Sequence, residues 1–314
     1  MNIIKAPIFL VGAERSGTTM LRLMLSHHPQ IAWCNEFEYA VDQVSNRGQF
    51  PLLKDYYEWL ETHRIFQATG FHLDPDLSYP ELVNSFLAQK LTNEQKQIVG
   101  ATVHRHFDRL LHIWPDARFI HIIRDGRDVA RSCVMMGWAG NAWMGVERWI
   151  EVERLWENFS EKLENHRYIE INYENLIGAT SQTLEQLCDF IDVSYTTSML
   201  DYPKSTTYKR PDPNFGLQWK NKMSERDIQL VEYKIASMLQ NRGYELSSLP
   251  RIQVNDWDVK QLLWQDWWKR VLFRVNRYGF PLLLADFLAR RLILKSQAES
   301  LKLKINNIDA RYIV

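Results

Sequence analysis

The sequence predicts an α/β fold: a parallel sheet flanked by helices, followed by a helical appendage at the C-terminal end. Three observations carry this. Short apolar runs that read as buried strands alternate with helical periodicity from residue 7 to residue 243, the pattern of a parallel sheet covered on both faces. The stretch Pro7 to Leu21, PIFLVGAERSGTTML, passes from strand through a glycine-bearing loop into helix. From Asn255 onward, tryptophans and basic residues at helical spacing replace the strand signals, and Asp256 to Tyr278 and Pro281 to Leu303 read as two helices hinged at Gly279–Pro281. Residues 1–250 are expected to form the α/β domain and 251–314 the appendage. A chain of 314 residues, 46% apolar and 24% charged, has an ordinary globular composition and is long enough for that arrangement.

The elements follow in order. Ile8 to Val11 is an apolar strand, and helical spacing returns at Leu21, Met24 and Leu25. Pro29 ends that helix, and Ile31 to Cys34 is the next strand. Tyr56 to Phe66 and Pro80 to Leu91 read as helices, the second with proline at its start. The span from Asn46 to Ser78 carries Gly48, Pro51, Gly70 and Pro75 and is expected to be an irregular insertion. Gln97 to Thr102 is a strand, Phe107 to Trp114 a helix, and Ala117 to Ile123 a strand. Asn141 to Leu163 reads as one amphipathic helix with Trp149, Val152, Leu155, Trp156 and Phe159 on one face. Tyr168 to Ile171 is a strand and Thr183 to Ile191 a helix. Ser224 caps a helix to Leu239, with Asp227 as its partner and Gly243 closing the turn beyond it.

The organising motif is the loop after the first strand. Gly12 and Gly17 stand at the spacing of the nucleotide P-loop, G-x-x-x-x-G-K-[ST]. The lysine slot holds Thr18, followed by Thr19, and the cation comes earlier, at Arg15. Strand, glycine loop and helix N-terminus aim backbone N–H groups at an anion. Without the lysine that reaches the outer phosphates of a triphosphate, the loop suits one phosphate. A second cation–hydroxyl pair follows about a hundred residues later: Arg124 ends a strand, and Ser132 lies about two helical turns on. A guanidinium and a hydroxyl so placed suit a second phosphate.

These two motifs in this order resemble the PAPS-dependent sulfotransferases. The resemblance covers roughly Ile8 to Gly243 and implies a P-loop-like nucleotide-binding domain that uses PAPS (3′-phosphoadenosine 5′-phosphosulfate) as co-substrate. It implies that Arg15, Ser16, Gly17, Thr18 and Thr19 hold the 5′-phosphosulfate, and that Arg124 and Ser132 hold the 3′-phosphate. Arginine at the loop's cation position is more similar to the tyrosylprotein and bacterial branches than to the cytosolic one. The resemblance further implies that Tyr173, just after a strand, contacts the adenine; a core tyrosine is the competing reading. Lys220 or Lys222 would belong to a late basic stretch that folds over the nucleotide; a solvated turn is the alternative.

Sulfuryl transfer needs in-line placement and charge stabilisation. Arg15 and the N–H groups of Ser16 to Thr19 stand where charge builds on the leaving phosphate. An acceptor hydroxyl also needs a base. Glu36 is the first candidate, matching the glutamate of the tyrosylprotein and bacterial members; Glu38 competes with it as a carboxylate that merely heads a helix. His104 is the second, as a stabiliser or alternative base. The family's lysine near that strand end is absent from GATVHRH, leaving Arg105 or His104 in its place.

Zero formal net charge argues against a broad nucleic-acid surface. Cys34, Cys133 and Cys188 match neither a disulfide framework nor a zinc spacing, which suits a reducing compartment. The histidine pairs His27–His28 and His104–His106 lack ligand partners at metal spacing, and no metal is expected. The N-terminal run enters the loop strand directly, so neither a signal peptide nor the membrane anchor of the family's Golgi members is expected; a cytoplasmic protein is. The tail from Asn255 holds eleven Lys and Arg against six Asp and Glu. Packing, oligomerisation or peripheral membrane contact through 255–304 are the roles open to it. The acceptor is unspecified; the aromatics Phe50, Tyr56, Tyr57, Trp59, Phe66 and Phe71 hint at an apolar or ring-bearing small molecule. A P-loop kinase or NTPase, and a non-catalytic nucleotide-binding member acting through its tail, remain the alternatives.

Overall fold

The computed structural model describes residues 3–291 together with 300–302, 304, 305 and 308. The strands are β1 (Ile8–Val11), β2 (Ile31–Glu36), β3 (Ile98–Val103), β4 (Arg118–Ile123) and β5 (Tyr168–Asn172). The helices are α1 (Thr18–Ser26), α2 (Leu53–Glu61), α3 (Arg64–Gln67), α4 (Tyr79–Glu94), α5 (Gly126–Met135), α6 (Ala142–Gly145) and α7 (Glu147–Ser160). Then come α8 (Tyr173–Gly178), α9 (Thr180–Ile191), α10 (Trp219–Lys222), α11 (Glu225–Asn241), α12 (Asp256–Tyr278) and α13 (Phe280–Arg291). Two compact units emerge, Met1–Arg124 with Arg148–Leu217, and Asp125–Glu147 with the chain from Gln218 onward. The sequence-based boundary at residue 250 falls inside the second unit.

The first unit holds the whole sheet. All five strands are parallel, in the order β2-β3-β1-β4-β5. β1 lies at the centre, with Ile8 to Val11 opposite Gly100 to Val103 on one side and Arg118 to His121 on the other. It is buried along its entire length, so apolar side chains are required on both faces. Ile8 and Leu10 join one apolar core with Leu21, Met24 and Leu25 of α1, Ile120 and Ile122 of β4, and Leu184 and Leu187 of α9. Phe9 points the other way, into a run of rings through Trp114 (5.3 Å), Phe119 (6.0 Å) and Phe159 of α7. Trp33 lies flat across β3, where a Cβ on Gly100 would meet its ring at 2.3 Å, and donates from Nε1 to Thr102 Oγ1 at 3.0 Å. The C-terminal carbonyl of α1 at Ser26 accepts from Lys96 Nζ, which also bonds Ile31 O in β2.

Within the second unit, α5, α6 and α11 pack together. Asp125 caps α5 and grips Arg127 through two bonds of 2.9 and 2.6 Å. Arg127 is buried, also pairs with Glu232 of α11 at 2.6 Å, and lies 3.6 Å over the Trp219 ring. The predicted Ser224 cap is present, accepting from Asp227 N at 3.1 Å. Gly140 N donates to buried Asp266 of α12, and Phe273 occupies the space a Cβ on Gly137 would need. Gly279 ends α12 with φ 80, as its position between two helical runs suggests.

Several expected helices differ. The run Asn141–Leu163 is broken at Val146 into α6 and α7, and Gly145, the last residue of α6, sits so close to Ala130 O that a Cβ would lie 2.5 Å from it. Tyr56–Phe66 divides at His63, which accepts from Phe66 N and caps α3. Phe107–His112 is a 3-10 helix, not α. The expected helix Pro281–Leu303 is described as far as Arg291; beyond it, residues 292–299 and 303 lie outside the described residues. Tyr56 and Phe66 of the 46–78 insertion are core residues, with Phe66 5.3 Å from both Tyr39 and Phe86.

One buried polar cluster supports the sheet. His121 of β4 is fully buried, stacked 4.4 Å from Trp156, with Glu170 at Nδ1 (3.1 Å) and Glu153 at Nε2 (3.2 Å). Burial alone would lower its pKa; Glu153 and Glu170 outweigh it and raise the imidazole above its ordinary value. A raised folded-state pKa gives stability that is complete below the unfolded value of about 6.5 and is lost as pH rises through the folded value. Urea midpoints are therefore expected to fall with rising pH from neutral upward, and His121→Gln to flatten that slope; parallel slopes would contradict the assignment.

Candidate active site

The loop between β1 and α1 turns through positive φ at Gly12 (149), Arg15 (73) and Gly17 (92). Glycine is required at both ends. A Cβ on Gly12 would lie 2.3 Å from Ile122 O, and one on Gly17 2.3 Å from the Tyr173 ring. Arg15 alone takes a left-handed conformation with a full side chain, a strain that functional loops hold. Ser16 N donates back to Ala13 O at 3.1 Å, folding the loop over itself. Gly17 caps α1 without any side-chain hydrogen bond, so the first N–H groups of the helix are not taken up by a capping side chain and suit an anion. Ser16 is fully buried, and its Oγ finds no hydrogen-bond partner among the described residues. An orphaned buried hydroxyl in an anion-shaped loop fits a phosphate that supplies the missing acceptor. Thr18 is buried and Thr19 half-buried at the first turn of α1.

Arg124, at the end of β4, is tied to this loop. Its Nη1 donates to Arg15 O at 3.1 Å and its Nη2 to Phe215 O at 2.9 Å. Its guanidinium lies 4.3 Å over the Tyr173 ring, and its carbonyl accepts from Trp149 Nε1. Tyr173 is thus held between Gly17 and Arg124, and 5% of it is exposed. Its hydrophobic ring sets the distance between the glycine loop and the arginine, a contact no spacing rule in the sequence reveals.

His104 follows β3 and is also fixed to the loop. It is buried, and its Nδ1 lies 2.9 Å from Gly12 O. A carbonyl only accepts, so Nδ1 carries a proton, and in the neutral ring the lone pair is then on Nε2. The His104 N–H donates to Glu38 Oε1 at 2.8 Å. Glu38 heads the 3-10 turn Glu38–Ala40 and is buried. Burial pushes its carboxyl above the ordinary range, against the opposing pull of His104. Sequence reasoning treated Glu38 only as a turn-heading carboxylate and missed that it clamps the His104 backbone. Glu36 ends β2 opposite Thr102 of β3, exposed to solvent. Arg105 is engaged by Asp42 through bonds of 2.9 and 2.7 Å.

The remaining expected residues lie in the second unit. Ser132 is half-buried on α5. Asp128 of α5 accepts from Gln218 N and Trp219 N, and Arg131 donates to Gln218 Oε1, so α5 fixes the start of α10. Lys220 Nζ sits 5.7 Å over the Trp219 ring. Lys222 lines a cavity of about 540 Å3 with Arg131, Ser224, Asp227 and Lys269. All three cysteines are free and buried, and burial pushes the Cys34 thiol up to about 12. Among the described residues no helix is long and apolar enough to cross a membrane.

Comparison with known proteins identifies the family and the fold. A model described as the sulfotransferase family matches residues 7–197. Protein-tyrosine sulfotransferase A of Caenorhabditis elegans is 24% identical over 214 residues, 62% of this chain and 52% of the relative. The chain spans about half the length of the protein-tyrosine sulfotransferases it matches. Two solved structures share the fold. The sulfotransferase domain from the Synechococcus PCC 7002 olefin synthase is 19% identical with TM-score 0.57, covering 78% of this chain and 98% of that one. The sulfotransferase domain from the curacin biosynthetic pathway is 18% identical with TM-score 0.51, covering 78% and 100%.

If Ser16 Oγ awaits a phosphate, Ser16→Ala is expected to leave unfolding free energy within about 0.5 kcal/mol of wild type, since no folded-state bond is lost. Affinity for adenosine 3′,5′-bisphosphate should fall about tenfold, the loss of one hydrogen bond to a charged group. Denaturant titration and calorimetry check the pair; a loss of stability with unchanged affinity would mark the hydroxyl as structural.

Proposed function

We propose that this chain, which belongs to the sulfotransferase family, transfers a sulfuryl group from PAPS to an acceptor hydroxyl or amine. The observation that carries this reading is the loop. It has positive φ at Gly12, Arg15 and Gly17, a buried Ser16 hydroxyl without a partner among the described residues, a helix start with no side-chain cap, and no lysine after the second glycine. Such a loop serves one phosphate and its sulfuryl group, which separates the reading from a kinase. Arg15, the Ser16 hydroxyl and the N-terminus of α1 take up the charge that develops on the bridging oxygen as the sulfur–oxygen bond breaks. Thr18 and Thr19 add hydroxyl donors. Arg124, anchored to Arg15 O and stacked on Tyr173, is the cation for the 3′-phosphate.

His104 is the favoured base. Its proton on Nδ1 is held by Gly12 O, so Nε2 is free to accept the acceptor's proton as the new sulfur–oxygen bond forms. Glu38, bonded to the His104 N–H, holds the backbone there. Glu36 is the second reading, favoured by its exposed place at the sheet edge beside β3. An apolar or ring-bearing acceptor is the expected class, a phenolic hydroxyl being the kind named by the tyrosine-modifying relatives. Three free, buried thiols support a reducing compartment such as the cytoplasm.

Labelled-sulfate transfer to a panel of phenols, tyrosyl peptides and hydroxylated alkyl chains tests the reading. His104→Gln is expected to lower kcat about 100-fold or more while affinity for the bisphosphate product stays near wild type. Glu36→Gln should cost less than about tenfold. The reverse ranking would make Glu36 the base, and no transfer by wild type to any acceptor would leave a nucleotide-binding protein without this activity.

A further inference from the structure

The second unit carries a surface that the catalytic reading does not use. On α12, Trp257, Trp264, Trp268 and Leu272 recur seven, four and four residues apart and share one side of the helix. Their exposures are 67%, 66%, 44% and 43%, and Trp267 beside them is 54% exposed. The opposite side of the helix is the packed one: Asp266 accepts from Gly140 N, and Phe273 fills the space over Gly137. Trp264 and Trp268 stack in parallel at 6.4 Å, forming a flat aromatic surface. On α13, Phe280, Leu284, Phe287 and Leu288 make a second exposed apolar stripe. Exposed large apolar side chains grouped in this way, rather than scattered singly, mark an interaction surface.

Charge identifies what covers it. The acids of α12 are confined to its first turn, at Asp256 and Asp258, and to buried Asp266. Asp258 is used there to complete the Asn255 cap. Beyond Asp258, every charged side chain of α12 that reaches solvent is a cation: Lys260, Lys269, Arg270, Arg274 and Arg277. By helical position Lys260 and Arg274 flank the tryptophan side on one edge and Lys269 on the other. Two copies joined through this face would press like charges together around it. Indole rings with cations at their flanks instead match the boundary between acyl chains and anionic headgroups. Since no described helix is long and apolar enough to cross a membrane, the matching mode is to lie on one.

We propose that α12 docks this chain onto the surface of an anionic phospholipid bilayer, with Trp257, Trp264 and Trp268 entering the interface and Lys260, Lys269 and Arg274 meeting headgroup phosphates. The inference is independent of the sulfuryl-transfer reading.

The full chain is sedimented with vesicles of phosphatidylcholine alone and with vesicles containing phosphatidylserine. Binding is expected to the serine-containing vesicles, at least about tenfold weaker to neutral ones, and to weaken as salt rises. The double variant Trp264→Ser/Trp268→Ser should lose binding, and Lys269→Glu/Arg274→Glu should lose the preference for anionic lipid. All four side chains are exposed, so near-wild-type melting curves are expected; Trp257→Ser, in the first turn, gives a separate variant should the double one misfold. Absence of binding to anionic vesicles, equal binding to neutral ones, or sedimentation equilibrium showing a dimer that the double tryptophan variant dissociates would each overturn the proposal.

Discussion

A backbone that bends left-handed three times within six residues, at Gly12, Arg15 and Gly17, is the constraint on which the first unit depends. Each bend restricts what surrounds it. Gly12 lies against Ile122 O of β4, so the loop can leave β1 only in contact with its neighbour strand. Gly17 lies against Tyr173, so the residue after β5 must bring its ring to the helix start. Arg15 holds a side-chain-bearing left-handed conformation whose carbonyl is secured by Arg124. Loop, strand end and ring are therefore joined in one assembly by contacts within the chain. Preorganisation of this kind is what electrostatic stabilisation of a leaving phosphate requires.

The sheet supplies that rigidity. β1 stands at the centre of five parallel strands, buried on both faces, and its C-terminal end delivers the loop where ligands bind in open α/β sheets. β3 ends beside it and delivers His104, whose Nδ1 is bonded to Gly12 O. β4 delivers Arg124, and β5 delivers Tyr173. Four strand ends thus converge on one loop, and the cluster of His121, Glu153 and Glu170 beneath them ties β4 and β5 to α7. In the second unit a comparable role falls to α5, where Asp125, Arg127 and Asp128 organise the start of α10 and the middle of α11 through buried, charge-assisted bonds.

Much of this was legible in the sequence, for physical reasons that differ by element. β1 and α12 matched residue for residue because a short apolar run before glycine, and a long periodic run between Asn255 and Gly279, each have unambiguous ends. The Asn141–Leu163 run was misread because its apolar period passes uninterrupted through Gly145 and through Val146, the single turn residue between the two helices. At the site, glycine spacing revealed the loop, since conformational need is written in residue type. Contacts across the fold were not legible: the Tyr173 ring against Gly17, the His104 tautomer set by Gly12 O, and the Glu38 carboxylate on the His104 N–H join residues tens of positions apart. Arg127 illustrates the same limit. Among the charges of RDGRDVAR it looks no different from its neighbours, yet it is buried in the second unit's ion network.

The central claim is that the loop serves a single phosphate and that Arg124 provides for another at the 3′ position. The most direct measurement is the melting temperature of the full chain with adenosine 3′,5′-bisphosphate, AMP and ATP, all at one concentration set a hundredfold above the dissociation constant of the bisphosphate. A ligand that binds only the native state adds about 2.7 kcal/mol under that condition, a rise of roughly 5 °C for a protein of this size. The account predicts that rise for the bisphosphate, a smaller one for AMP and none for ATP. A rise with ATP alone, or equal rises with AMP and the bisphosphate at matched concentration, would contradict it.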